Sequence, residues 1–316
     1  MIFGKFRAKP DVPPAAPPAP PVRPVVSDLP KLEEADLIEL NRPALEYMRS
    51  QGTDFFQKKL TEVTIDNPSP GFDVEAASRI LDEEGIVAIP HFLSEDTLSL
   101  ANDTIHHVSA ALGKATQETN YEDDDVLVQS ADYPLKTYAA LRSHEKAVVN
   151  VRRGADEGMV DVFNIDRLSG DKRSELRAPF ERSDILQLLS ENGQTLEASN
   201  LNAYMNSGIS KTRGLHVDSF KKTLKGFVYL TDVTSLDHGP YCFVRRSHKD
   251  NVWRKTNQTL SKMAAARTEA PFVDHDSLLP VMAPAGTLII SDQSGVHRGI
   301  PQAPDQIRQV LVMLYT

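Results

Sequence analysis

Cysteine is nearly absent: Cys242 is the single one in 316 residues. One thiol cannot form an internal disulfide framework, so stability must come from a packed core, as in a reducing compartment. Long apolar runs are missing too. None approaches the ~20 residues that a membrane-spanning helix needs. The N-terminus scatters Lys5, Arg7 and Lys9 without the apolar stretch of a signal peptide. An excess of basic residues is also lacking: the net charge is −9 and the pI near 5.5, which disfavours general nucleic-acid binding. What is present is ordinary for a globular chain, with 40% hydrophobic and 25% charged residues. These features imply a cytoplasmic protein with neither nucleic acid nor membrane as partner. They leave its oligomeric state open.

Three regions follow from composition. Residues 1–30 form a Pro-rich tail typified by Pro13-Pro14-Ala15-Ala16-Pro17-Pro18, an extended and disordered segment because proline lacks an amide donor and restricts its predecessor. Residues 31–70 read as a helical extension. Leu32, Leu37, Ile38, Leu40 and Leu45 recur at helical spacing, Pro43 is expected to split the segment into two short helices, and residues 52–70 read mostly as linker. Asn67-Pro68-Ser69-Pro70-Gly71 is the natural boundary before a main domain over 71–316. There, Asp73 and Gly85 bracket a helix as caps, Ile86–Ile89 reads as a buried strand, and Ser94 caps a second helix. Residues 113–160 give no clear assignment. After Gly193 the pattern becomes strand-like, with short apolar runs between turns up to Tyr315. The fold expected is mainly β with flanking helices (α+β), a sandwich or barrel buttressed from its N-terminal side.

Chemistry concentrates in Gly214-Leu215-His216-Val217-Asp218. On an extended backbone His216 and Asp218 share a face. A second histidine aimed at the same point completes the 2-His-1-carboxylate triad of non-haem Fe(II) oxygenases. His297, flanked by Gly295 and Gly299 just beyond a strand, is the candidate. Eleven residues later Arg308 interrupts the apolar run Ile307–Leu314. A buried arginine there needs an anionic partner, and its planar fork suits the distal carboxylate of 2-oxoglutarate.

With these residues in order, the chain resembles the phytanoyl-CoA dioxygenase family over roughly residues 71–316. The likeness runs through Gly85-Ile86-Val87-Ala88-Ile89-Pro90, His216/Asp218, Asp232-Val233-Thr234, His238-Gly239-Pro240-Tyr241-Cys242-Phe243-Val244, Ser247-His248-Lys249, Ala285-Gly286-Thr287, His297 and Arg308. It departs at Arg245-Arg246, where the family usually has Pro-Gly, and at Leu215, often aromatic. The resemblance implies a double-stranded β-helix (jelly roll, cupin-like), with Fe(II) on His216, Asp218 and His297. It also implies 2-oxoglutarate as cosubstrate and O2 as oxidant. The implied reaction hydroxylates an unactivated C–H bond while 2-oxoglutarate is decarboxylated to succinate and CO2. Asp218 favours hydroxylation, since related halogenases carry a small residue there.

Further residues carry weaker expectations. Asn200, Asn202, Tyr204 and Asn206 share one parity and line a polar pocket. Among them Asn202 and Tyr204 are candidate partners of 2-oxoglutarate, against a plain polar network. Phe227 and Tyr229 are candidate pocket walls, against core packing. Arg245 and Arg246, with Lys211, Arg213, Lys221, Lys222 and Lys225, suggest a positive field for an anionic substrate. The rival functions are a cupin-like metal protein without turnover and an interaction protein that uses its Pro-rich tail.

Overall fold

The last strand, Ile307–Tyr315, is buried almost throughout. A run apolar on both parities belongs in the middle of a sheet covered on both faces. In the computed structural model, which describes residues 34–67, 71–115, 119–129, 135–154, 156–190, 196–263 and 268–315, it occupies that position. The Pro-rich tail and most of the 67–71 boundary cluster lie outside the described residues.

The helices are α1 (Glu34–Gln51), α2 (Thr53–Thr61), α3 (Val74–Glu84), α4 (Glu95–Leu112), α5 (Tyr138–Ser143), α6 (Arg173–Arg177), α7 (Ser183–Leu189) and α8 (Val252–Met263). The strands are β1 (Ile86–Ile89), β2 (Tyr121–Glu122), β3 (Val126–Val128), β4 (Ala147–Val151), β5 (Val160–Phe163), β6 (Ala198–Ser207), β7 (Leu224–Tyr229), β8 (Tyr241–Val244), β9 (Leu278–Pro280), β10 (Leu288–Asp292), β11 (His297–Gly299) and β12 (Ile307–Tyr315). Nine strands form a large mixed sheet in the order β1-β10-β7-β12-β6-β5-β4-β3-β2, and β11-β8-β9 form a smaller one. Single-residue bridges extend the small sheet: His297 pairs with His216, and His216 with Glu269. Two sheets flanked by helices make the jelly roll.

Strand parity sorts the core into three layers. Phe227, Tyr229, Ile289, Val310 and Val312 of the large sheet meet Tyr241, Phe243 and Leu279 of the small one. On the outer face of the large sheet, Val87, Val228, Ile290, Leu311 and Met313 pack under Leu81, Ala101, Ile105, Leu176 and Ile185 of α3, α4, α6 and α7. Outside the small sheet, Cys242, Val244, Leu215 and Val217 lie against Ala44 and Met48 of α1 and Phe56 of α2.

Local chemistry sets several ends as expected. Asp73 accepts the Ala76 amide at 2.9 Å, Gly85 closes α3 at φ 80°, and Ser94 accepts from Thr97. Two expectations fail. Helix α1 runs unbroken through Pro43, because Asn41 on one side and Ala44 and Met48 on the other are all buried, so packing holds both halves. Residues 53–61 form a helix rather than a linker, seated by Phe56 and Leu60. The extension then adds a backbone bridge, Thr64 to Ala88. Among the described residues no helix is long and apolar enough to cross a membrane.

Candidate metal centre

Backbone pairing brings the two histidines together. The His216 amide donates to the His297 carbonyl at 3.0 Å, and the His297 amide returns a bond to the His216 carbonyl at 2.8 Å. Residues directly opposed across an antiparallel pair project on one face, and the two ring centroids are 4.6 Å apart. Asp218 follows on the same parity as His216, its amide held by the Gln293 carbonyl at 3.1 Å.

Both rings are oriented by the same device. Nδ1 of His216 lies 2.8 Å from the Gly214 carbonyl, and Nδ1 of His297 lies 3.0 Å from the Gly295 carbonyl. A carbonyl oxygen only accepts, so Nδ1 is the donor in both rings and Nε2 is the atom each ring turns toward the site. The His297 Nε2 stands 3.6 Å from Asp218 Oδ1, and one donor atom from each of the three residues lies within 4.8 Å of the others. The donor set therefore fits a divalent metal, two imidazoles and one carboxylate on one face with the remaining positions open.

The electrostatics agree. Burial, the neighbouring His297 and Arg213 together push the His216 imidazole well below its ordinary pKa, so it is neutral, the ligating form. Burial alone would raise the Asp218 carboxyl, but the His297 ring and the Lys225 ammonium outweigh it. They hold the group well below the usual carboxylate range.

The two carbonyl-supplying glycines have no room for a side chain. A Cβ on Gly295 would collide with the Phe243 ring, and one on Gly214 with the Asn41 amide. Asn41 also accepts the Leu215 amide at 2.7 Å, so α1 braces the strand that carries His216. Gly295→Ala is expected to cost about 1–3 kcal/mol by overpacking and to weaken metal binding by tilting His297. Thermal unfolding and a metal titration of the variant check both effects.

Arg308 projects with the interior parity of Val310 and Val312, opposite Asn206 of β6. It is 8% exposed. One terminal nitrogen donates to the Gly239 carbonyl, while its Nε and the Asn206 Oδ1 have no partner among the described residues. No carboxylate pairs with it there, and burial lowers its pKa. A Cβ on Gly299, two residues past His297, would be 3.5 Å from its Nη2.

The weaker candidates divide. Tyr204 sits opposite Val310 on the inner face, under the Arg152 guanidinium at 5.7 Å. Asn202 is inside as well, but its Oδ1 already accepts the Asn164 amide at 3.2 Å. Tyr229 donates to the Val281 carbonyl and accepts the Tyr241 amide, so its hydroxyl is committed to joining the two sheets. Phe227 stacks on Tyr241 at 4.9 Å, and Tyr241 in turn lies 5.7 Å from His297.

The two arginines expected to draw an anionic substrate are engaged elsewhere. Arg245 binds Glu84 at 2.8 Å and Glu62 at 2.7 Å, and Arg246 binds Glu84 at 2.9 Å. Burial raises the Glu84 carboxyl, but both arginines outweigh it and leave its pKa lowered. Stability from this cluster is present at neutral pH and is lost as pH falls through that lowered pKa. Arg245→Ala is expected to cost about 2 kcal/mol, read in urea unfolding, and the deficit shrinks in acid. Of the remaining basic residues, Arg213 pairs with Glu269 and Lys211 with Glu157.

Further residues complete the surroundings. Tyr241, Ser291 and Gln293 form a buried polar trio, with Tyr241 Oη 3.0 Å from Ser291 Oγ and Gln293 Nε2 2.8 Å from the same oxygen. Lys225 forms an ion pair with Asp218 Oδ2. The lysine expected to help draw an anionic substrate thus lies against the carboxylate of the triad.

The chain thus combines a jelly-roll architecture with a converging His-Asp-His set that could hold a metal ion. No protein-family profile and no curated protein sequence matches this chain. Among solved structures it is similar to the non-heme alpha-ketoglutarate-dependent carbocyclase SnoK from nogalamycin biosynthesis, with 20% identity over 76% of this chain and 83% of that one at a TM-score of 0.49. It is also similar to AviO1 from Streptomyces viridochromogenes Tue57, with 14% identity, 77% and 95% coverage and a TM-score of 0.48. A third is the epimerase SnoN in complex with Fe3+, alpha-ketoglutarate and nogalamycin RO, with 16% identity, 76% and 83% coverage and a TM-score of 0.46.

Proposed function

We propose that this protein is an Fe(II)- and 2-oxoglutarate-dependent dioxygenase of the phytanoyl-CoA dioxygenase type that hydroxylates a small-molecule metabolite. The supporting observation is a pairing of two features. The His216, Asp218 and His297 donors converge, and a buried guanidinium without a carboxylate partner, Arg308, stands next to the strand that carries His297. Iron held by the three residues supplies O2 activation, so that R–H, O2 and 2-oxoglutarate become R–OH, succinate and CO2. The chain's own part is binding and orientation. Arg308 takes the distal carboxylate of the cosubstrate in bidentate fashion, with Tyr204 and Asn202 as neighbouring polar contacts. Phe227 and Tyr241 keep water from the inner side of the site.

Protein loaded anaerobically with Fe(II) and then exposed to O2 is expected to convert 2-oxoglutarate to succinate, and His216→Ala to give none. Incorporation of oxygen-18 from O2, screened in a metabolite extract, identifies the product. Metal binding without any binding of 2-oxoglutarate would leave a cupin-like metal protein instead.

A further inference from the structure

Lys225 is the residue that the proposed chemistry leaves unexplained. It lies on β7 at the parity of Phe227 and Tyr229, paired with Ser291 of β10 and Leu314 of β12. Its side chain is 17% exposed. Placing an ammonium there costs desolvation that an apolar residue would not incur. The one ion pair it makes among the described residues is with Asp218, and the two oxygens of that carboxylate are used differently. Oδ2 is held by Lys225, whereas Oδ1 faces His297 Nε2.

We propose that Lys225 is a positioning residue for the metal centre: by holding Asp218 Oδ2 it presents Oδ1 alone to the cation. The inference rests on the metal reading above. A carboxylate fixed through one oxygen enters the site with its rotation already restricted. It also occupies a single coordination position, so the face opposite the triad stays free for other ligands. Without Lys225 the carboxylate turns freely and offers both oxygens. A charge-only role predicts the reverse effect on affinity, because removing a positive charge beside the site should favour a cation.

The test is a Mn(II) titration of the full-length protein, with free Mn(II) followed by its EPR signal. Lys225→Met keeps the length and apolar stem of the side chain, and Lys225→Arg keeps the donor and the charge. Lys225→Met is expected to weaken Mn(II) binding by roughly 10-fold or more, the scale of a lost outer-shell partner, and Lys225→Arg to recover most of it. The metal-free Lys225→Met protein should melt close to the unmodified chain, as it must if the lysine acts on the carboxylate's orientation and not on the fold. Unchanged or tighter binding by Lys225→Met overturns the positioning role while leaving the metal reading intact. A loss of affinity accompanied by a large drop in the metal-free melting temperature also overturns it, as a general structural defect. Failure of the unmodified protein to bind Mn(II) overturns the metal reading itself.

Discussion

Asp218→Ala abolishes metal binding while leaving the fold almost untouched. Two imidazoles remain, correctly turned by the Gly214 and Gly295 carbonyls, but the anionic ligand is gone. The expected fall in Mn(II) or Fe(II) affinity exceeds the ~10–100-fold that follows loss of an outer-shell partner, and succinate production drops to background. Stability responds far less. The Asp218 side chain is 34% exposed, so its pair with Lys225 is screened and contributes about 1 kcal/mol or less. A thermal scan of the metal-free protein should therefore nearly superimpose on that of the unmodified chain, with the two separating only when metal is added. Retained metal affinity would show that the His-Asp-His convergence is incidental, and a large loss of stability would make Asp218 a structural residue.

What could be read from sequence divides by the range of the interactions. Caps act within a few residues, so Asp73, Gly85 and Ser94 mark helix ends directly. The His216/Asp218 parity and the lone Arg308 in an apolar strand were legible because strand alternation is local. Pairings across long separations were not. The pairing of Arg245 and Arg246 with Glu84 and Glu62 joins residues more than 160 positions apart, and no spacing announces it. Strands β2 to β4 extend the large sheet from a stretch whose polar composition concealed them, and the β3–β4 pair is parallel, a geometry without a hairpin signature. Pro43 misled for the opposite reason: a strong local rule yielded to packing on both sides of it. The two histidines show the limit most clearly. Each was visible, but the backbone pair that places their rings together belongs to the folded chain.

Arg308→Met separates binding from stability in the other direction. The guanidinium is buried, has no carboxylate partner among the described residues, and leaves its Nε without a partner. Its desolvation is thus poorly offset, and among the described residues the Gly239 carbonyl is its one hydrogen-bond acceptor. Apolar replacements of buried charged groups are often neutral or stabilising by about 1–4 kcal/mol. Against that stands the loss of the Gly239 bond, about 1–3 kcal/mol. The ligand-free variant is therefore expected to melt close to the unmodified protein. With cosubstrate the two diverge. At a concentration 100-fold above its dissociation constant, 2-oxoglutarate stabilises the Mn(II)-loaded protein by about 2.7 kcal/mol, a rise of about 4 °C for a domain of this size. Arg308→Met shows no such rise, because a buried carboxylate without its cation costs about 2–5 kcal/mol of binding. Arg308→Lys falls between, since an ammonium cannot reproduce a two-point fork. An Arg308→Met protein that still rises by the full amount would place the carboxylate elsewhere. One that loses several kcal/mol of stability without ligand would mean that the arginine serves the fold and not a bound anion.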